Sequence, residues 1–326
     1  MNPNVLVIGT TTALSEYNSG ATIRLKTILS ILDTMGIRYV VTSTDEISKF
    51  KNTTWKLVVC VSYATTWSLL GKKIKSDQFW LDACDSWTLS RRSQIKSGEL
   101  IPIFAYIRDV VSLLLIPKPN MLTFINSRDQ EAQSHYIRKH NLKSLVFPNE
   151  LMKMKRSQSN ESRFIFIGDG SYRPNIRSVK KILQIFKKNE ITAPLFLIGK
   201  NYRRVRSRNA IKLGYVADSE IFKSNDILIA PIHWGAGTKT KVVTALASGI
   251  RVITTREGSA GIAPAENLYV CDSDEEIVAT LGDILSKRAS SNLALQVQFL
   301  TDESEELRNW LNGQAINSNT IPKDQL

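Results

Sequence analysis

Short apolar runs alternate along this chain with longer stretches in which apolar residues recur every three or four positions. In the first half the runs "NVLVIGT", "WKLVVCVS", "QFWLDAC", "MLTFINS" and "SLVFP" read as buried strands, because both faces of each are apolar. The stretch "NSGATIRLKTILSILDTMG" puts Leu25, Ile28, Leu29, Leu32 and Met35 on one helical face, with Asn18 or Ser19 to start it and Gly36 to end it. Further helices are expected over residues 101–115 and at "RDQEAQSHYIRKH". The second half repeats the alternation: strands "RFIFIG", "APLFLIG", "AIKLGY", "DILIAPI", "RVITT" and "NLYVC" sit among helices "RPNIRSVKKILQIF", a short "SEIFKSN", the residues after "HWGAG", "SDEEIVATLGDILSK" and "TDESEELRNWL". Two successive strand–helix series imply an α/β chain of two Rossmann-like domains with parallel sheets.

Between them "KMKRSQSNES" is polar and lacks apolar periodicity, which predicts an interdomain linker. The expected boundaries are an N-terminal domain over 1–152, a linker over 153–160, a C-terminal domain over 161–300, and a last segment over 301–326. At 326 residues the chain can bury two cores. Cys60, Cys84 and Cys271 lack CxxC spacing, so neither a disulfide framework nor a zinc site is expected. The most apolar stretch, over 101–118, is interrupted by Arg108 and Asp109 and does not read as a membrane span. The first residues carry no basic, apolar and small-residue signal series, so a cytoplasmic setting is expected.

Charge changes the picture in one place. The formal net charge is +13, yet residues 151–251 alone carry 20 Lys and Arg against 6 Asp and Glu. A basic middle third suits a diphosphate, an anionic membrane surface or nucleic acid. No nucleic-acid reader motif accompanies it, and neither half has a G-x-G-x-x-G turn after its first strand, so nucleic acid and dinucleotides are both disfavoured.

The candidate chemistry gathers where second-half strands end in loops rich in glycine: "GDGSYRPN", "GKNYRR", "HWGAGT" and "REGSAG". Strand ends in parallel sheets deliver such loops to one edge. Gly235 and Gly237 leave room for a ligand beside the backbone. Amides at the start of the following helix, from Thr238, favour phosphate oxygens, and Lys239 and Lys241 add charge. An ordinary tight turn accounts for any single one of these loops.

In residues 163–262 these motifs, in this order, resemble the C-terminal domain of family 4 glycosyltransferases, which have the GT-B fold of two Rossmann-like domains facing across a cleft. "NSGATIRLKTILSILDTMG" is similar to the family's first loop and helix, "DACDSWTLSRR" to an Asp-rich segment of one branch, and "VFPNE" to the turn entering the linker. The resemblance implies sugar transfer from a nucleotide sugar, held by the second domain, to an acceptor hydroxyl on the first. It implies a retaining reaction with no metal, a nucleoside-diphosphate product, and a last helix that crosses back to the first domain. Lys241 matches the family's lysine, Lys239 stands where Arg is frequent, and Gly20 sits where the first domain faces the diphosphate.

The departures fall on the donor site. The family's two glutamates correspond here to Ala236 and Thr244, and a neutral hydroxyl grips a ribose less strongly than a carboxylate. The basic clamp after the first donor-domain strand is replaced by "GDGSYRPN", which offers Gly168, Asp169 and Arg173, and Glu257 is a candidate substitute carboxylate. Asp82 and Asp85 either handle an acceptor hydroxyl or, for Asp85, cap the next segment. His233 and Trp234 either face the sugar or pack, and Asn175 reads as a helix cap before a ligand contact. The acceptor expected from the family is a surface polysaccharide or glycolipid, which would bring the chain to the inner face of a membrane. The alternative is a glycosyltransferase-like partner subunit without catalysis, suggested by Ala236 and Thr244.

Overall fold

The computed structural model describes residues 4–11, 13–14, 20–96, 98, 117–151, 153–217, 220–286, 302–314 and 316. The expected caps Asn18 and Ser19, the helix over 101–115, and Thr301 fall outside them. Two compact units emerge, Met1–Leu89 with Ile101–Glu150 and Thr301–Leu326, and Ser90–Leu100 with Leu151–Leu300.

The first unit is built on six parallel strands: β1 (Val5–Gly9), β2 (Tyr39–Ser43), β3 (Thr54–Val61), β4 (Lys75–Cys84), β5 (Met121–Phe124) and β6 (Ser144–Val146). Their order is β2-β1-β3-β4-β5-β6, so the chain reverses its direction of growth between β1 and β3. All five residues of β1 are buried, as an apolar strand covered on both faces must be. The Gly20–Thr34 helix buries Leu25, Ile28 and Leu32 against one face. Gly36 closes it at φ +66, a left-handed conformation that glycine adopts without a Cβ clash. The expected long helix at "RDQEAQSHYIRKH" is two short ones, Ser127–Ala132 and Ser134–Lys139, interrupted at Gln133. The buried Gln133 amide donates to Ser86 Oγ and Thr88 Oγ1, which ties the break to the start of the Trp87–Lys96 helix.

The second unit carries β8 (Arg163–Ile167), β9 (Leu195–Ile198), β10 (Ala210–Gly214), β12 (Asp226–Ala230), β13 (Arg251–Thr254) and β14 (Leu268–Val270), all parallel, in the order β10-β9-β8-β12-β13-β14. The reversal here falls between β8 and β12. A separate two-stranded parallel sheet joins β7 (Arg156–Ser157) to β11 (Phe222–Lys223). Two expectations are therefore corrected. Residues 222–223 of "SEIFKSN" form a strand where a helix was expected. The segment expected to be an irregular linker is fastened to the second unit by β7, by the Met154 amide donating to Ser248 Oγ at 2.9 Å, and by Arg156 donating to the Gly249 carbonyl at 3.1 Å. Polar side chains hid this because the anchoring bonds run from its backbone and from one guanidinium.

The Ser304–Gly313 helix belongs to the first unit. Leu307 and Leu311 are buried in the core formed by the Gly20–Thr34 helix and β1, β3 and β4, and the Trp310 ring meets Trp80 edge-on at 6.4 Å. Just before it, Glu303 exchanges hydrogen bonds with Val146, covering the open edge of β6. Since Leu307 is fully buried, Leu307→Ala should lower the first unit's unfolding free energy by about 2–5 kcal/mol, read from denaturant titration.

Candidate functional site

In the second unit the chain leaves β8 and β12 in opposite directions across the sheet. The loops after these two neighbouring strands therefore open a crevice at their carboxyl ends. The first loop begins at Gly168 and Asp169, and the second runs from His233 to Lys239. A Cβ on Gly168 would lie 2.5 Å from Asn175 Nδ2 and 3.0 Å from Lys241 Nζ, so these side chains meet there because residue 168 has none.

Lys241 is the centre of this cluster. Its ammonium donates to Asn175 Oδ1 at 2.5 Å and stands 4.2 Å from the centre of the Phe166 ring. Asn175 in turn donates to the Asp169 carbonyl at 2.8 Å, so it bridges the first loop to the lysine. It does not cap its helix, Arg173–Lys188, as expected. The residue at the cap is Tyr172, and Asn175 lies inside the first turn with its side chain turned to Lys241. Burial pushes the Lys241 ammonium down to about 7, and the charge of Lys239 pushes the same way. Asp169 accepts from the Ser171 amide and from Asn201 Nδ2. Although burial opposes ionisation, these bonds hold its carboxyl below the usual range.

Lys239 faces its own loop. It sits at the cap position of the Thr240–Ala247 helix, and its Nζ donates to the carbonyls of Ala236 and Gly237 at 2.8 and 2.9 Å and lies 3.9 Å from Glu257. Lys239 and Glu257 thus form one group with Gly235 and Gly237, and Lys241 forms another with Gly168. Gly237 has φ +69, a conformation that strains any β-branched side chain before a ligand is considered. The Gly235 amide donates to Ser93 Oγ, within the same unit, at 3.1 Å. The side chain of Lys239, at the cap position, makes no capping hydrogen bond to the Thr240–Ala247 helix. Thr238 and Thr244 are buried, Arg173 is exposed at the start of its helix, His233 is exposed and Trp234 is packed away from solvent.

The first unit holds the other candidates. Gly20 is exposed at the first residue of its helix, and Asp85 is exposed after β4. Asp82 is fully buried. Both its oxygens are engaged, by Arg24 Nε at 2.9 Å, Arg24 Nη2, Thr123 Oγ1 at 2.7 Å and Cys84 Sγ at 2.8 Å. The Arg24 guanidinium, also buried, donates to the Phe147 carbonyl and Asn149 Oδ1. Asp82 therefore anchors an internal ion pair, and an acceptor hydroxyl has no oxygen of it left to use. The signal for Arg24 was present in the sequence, as a cation four residues before Ile28 on an otherwise apolar helix face. Among the described residues no group of three or more His, Cys, Asp or Glu is placed to hold a metal ion.

Residues 139–287 match the family described as "Glycosyl transferases group 1". The chain carries a group 1 glycosyltransferase domain. With that domain it is a glycosyltransferase, and its fold is GT-B. The fold is similar over 97% of this chain and all of the other to HepE of Anabaena in complex with UDP and glucose, with TM-score 0.59 and 9% identity. It is also similar to the UDP-forming α,α-trehalose-phosphate synthase from Burkholderia vietnamiensis, with TM-score 0.54 and 8% identity over 97% of both chains. No curated protein matches the sequence.

Two outcomes follow. Asp82→Asn would leave a buried guanidinium without its counter-charge. It should destabilise the first unit by about 3–5 kcal/mol in denaturant titration, so any loss of turnover in that variant accompanies lost stability. Binding of an anion at Lys241 would raise the lysine's pKa, so association should be level below about pH 7 and should weaken as pH rises above it, by up to about tenfold per unit. Calorimetry with an intact nucleotide sugar over about pH 6 to pH 9 reads this, and Lys241→Arg, charged throughout, should flatten the profile.

Proposed function

We propose that the glycosyltransferase takes its sugar from a nucleotide-sugar donor whose diphosphate lies at the carboxyl ends of β8 and β12, and passes it to an acceptor hydroxyl. The observation that carries this reading is the Lys241 ammonium, desolvated over Phe166 and aimed by Asn175 beside a glycine whose missing side chain lets the two meet. An anion arriving there meets a charge little screened by water, and such a preorganised charge stabilises the diphosphate most as it leaves. First-turn amides of the Thr240–Ala247 helix add their partial charge. Lys239 shapes the loop by donating to the Ala236 and Gly237 carbonyls, and Glu257, 3.9 Å from it, is the candidate carboxylate for a ribose hydroxyl. In this reading the charge on the leaving group is met by Lys241 and amides without a metal, the anomeric configuration is retained, and Asp85 is the acceptor-side carboxylate. Polysaccharide or glycolipid assembly is the setting the family resemblance suggests.

Because the HepE structure holds UDP and the trehalose-phosphate synthase is UDP-forming, UDP-sugars are the first donors to test, beside GDP-, ADP-, TDP- and CMP-sugars in a thermal-shift screen. With the donor so found, Lys241→Ala should weaken binding by about 1.5–3 kcal/mol and Thr244→Ala by less. Unchanged binding in a folded Lys241→Ala protein would place the diphosphate elsewhere. Asp85→Asn should lower turnover with donor affinity near wild type. Donor binding without transfer or hydrolysis by the wild-type chain would favour the partner-subunit reading raised by Ala236 and Thr244.

A further inference from the structure

Parallel strands need a crossover, and in an α/β sheet that crossover is usually a helix. Between β9 and β10 it contains only the 3-10 turn Tyr202–Arg204. Tyr202 and Val205 pin this strap to the second unit's core, each 3% exposed. The side chains between and after them, Arg203, Arg204, Arg206 and Arg208, all point into solvent, and among the described residues none of the four is ion-paired. The strap leads into β10, which closes one end of its sheet and pairs with β9 alone. On β10 and at its exit, Ile211, Leu213 and Tyr215 are 40, 38 and 58% exposed, with Lys212 exposed among them. An edge strand guarded against aggregation carries charge and hides its apolar residues, whereas this one shows both.

We propose that the β10 edge and its arginine strap form a docking face for an anionic lipid bilayer. Guanidinium groups pair with lipid phosphates, while isoleucine, leucine and tyrosine side chains enter the boundary between headgroups and acyl chains, where tyrosine is favoured. Charge complementarity selects this occupant. A dissolved polyanion would use the arginines but gains nothing from exposed Ile211 and Leu213. A second copy of the chain, docked through the same face about a two-fold axis, would set arginines against arginines. The inference stands apart from the donor reading, and its test measures binding with no sugar transfer.

The full chain is sedimented with vesicles of phosphatidylcholine alone and of phosphatidylcholine with about one third phosphatidylglycerol, at about 0.1 M salt. It should bind the anionic vesicles and leave the neutral ones. Replacing all four strap arginines by glutamine should lower partitioning at least about tenfold. Ile211→Ser with Leu213→Ser should lower it about threefold or more, with the loss persisting at high salt, where charge attraction is screened. Every altered position is exposed, so unfolding midpoints should stay at the wild-type value. The proposal is overturned if the wild-type chain ignores anionic vesicles or if the arginine variant partitions as wild type does. It is equally overturned if the Ile211/Leu213 variant partitions unchanged, which would mark a site for dissolved polyanions, or if that variant turns a dimer into monomers.

Discussion

The second unit of this molecule depends on the parallel pairing of β8 with β12. These strands are neighbours in the sheet but not in the chain, and the residues that leave them turn to opposite sides. Two such departures part at the carboxyl ends of the strands, so a crevice is built into the topology. Gly168 directly follows β8, and Asn175 and Lys241 come from the first turns of the helices that follow β8 and β12. Hydrogen bonding in the sheet therefore sets the positions from which a charge can act on a ligand.

Two buried cations show how differently the chain uses charge. Arg24 is enclosed with its counter-ion Asp82 and with carbonyl acceptors, so its charge is neutralised internally and its role is to join the first helix to β4 and to the segment after β6 at Phe147 and Asn149. Lys241 has an amide oxygen and a ring face for company, with no carboxylate partner among the described residues. Its ammonium is correspondingly easy to deprotonate, and the diphosphate of the proposed donor would supply the missing counter-charge. An arginine holds its charge under burial where a lysine yields it, which suits the first to a permanent bond and the second to a ligand-dependent one.

Excess positive charge in the middle third is divided in the same way. Arg163 is spent internally, with both its Nε and Nη2 on Asp226 inside the second unit. Lys181 bridges to Asp274 of the acidic Asp274–Ser286 helix, so part of the basic segment is answered by the acidic last quarter of the chain. The strap arginines are answered by nothing in the described chain. Net charge alone could not separate these three fates, because each depends on what stands opposite the side chain.

Periodicity determined much of this protein by itself. Apolar runs with both faces hydrophobic could only be covered strands, and their alternation with helices left two parallel sheets as the arrangement that buries both. The glycine turns and Lys241 were legible because a ligand approaching a backbone requires a local absence of side chains. Other features needed partners distant in the sequence. Asn175 looked like a cap until Lys241 stood 2.5 Å from it, and Asp82 looked like a catalytic carboxylate until Arg24 and Thr123 took its oxygens. The polar segment at Arg156–Ser157 looked like a linker until Phe222–Lys223 paired with it. A residue's type limits the bonds it can make, but packing decides which groups are within reach and which remain in water, and that choice separates a structural ion pair from a binding site.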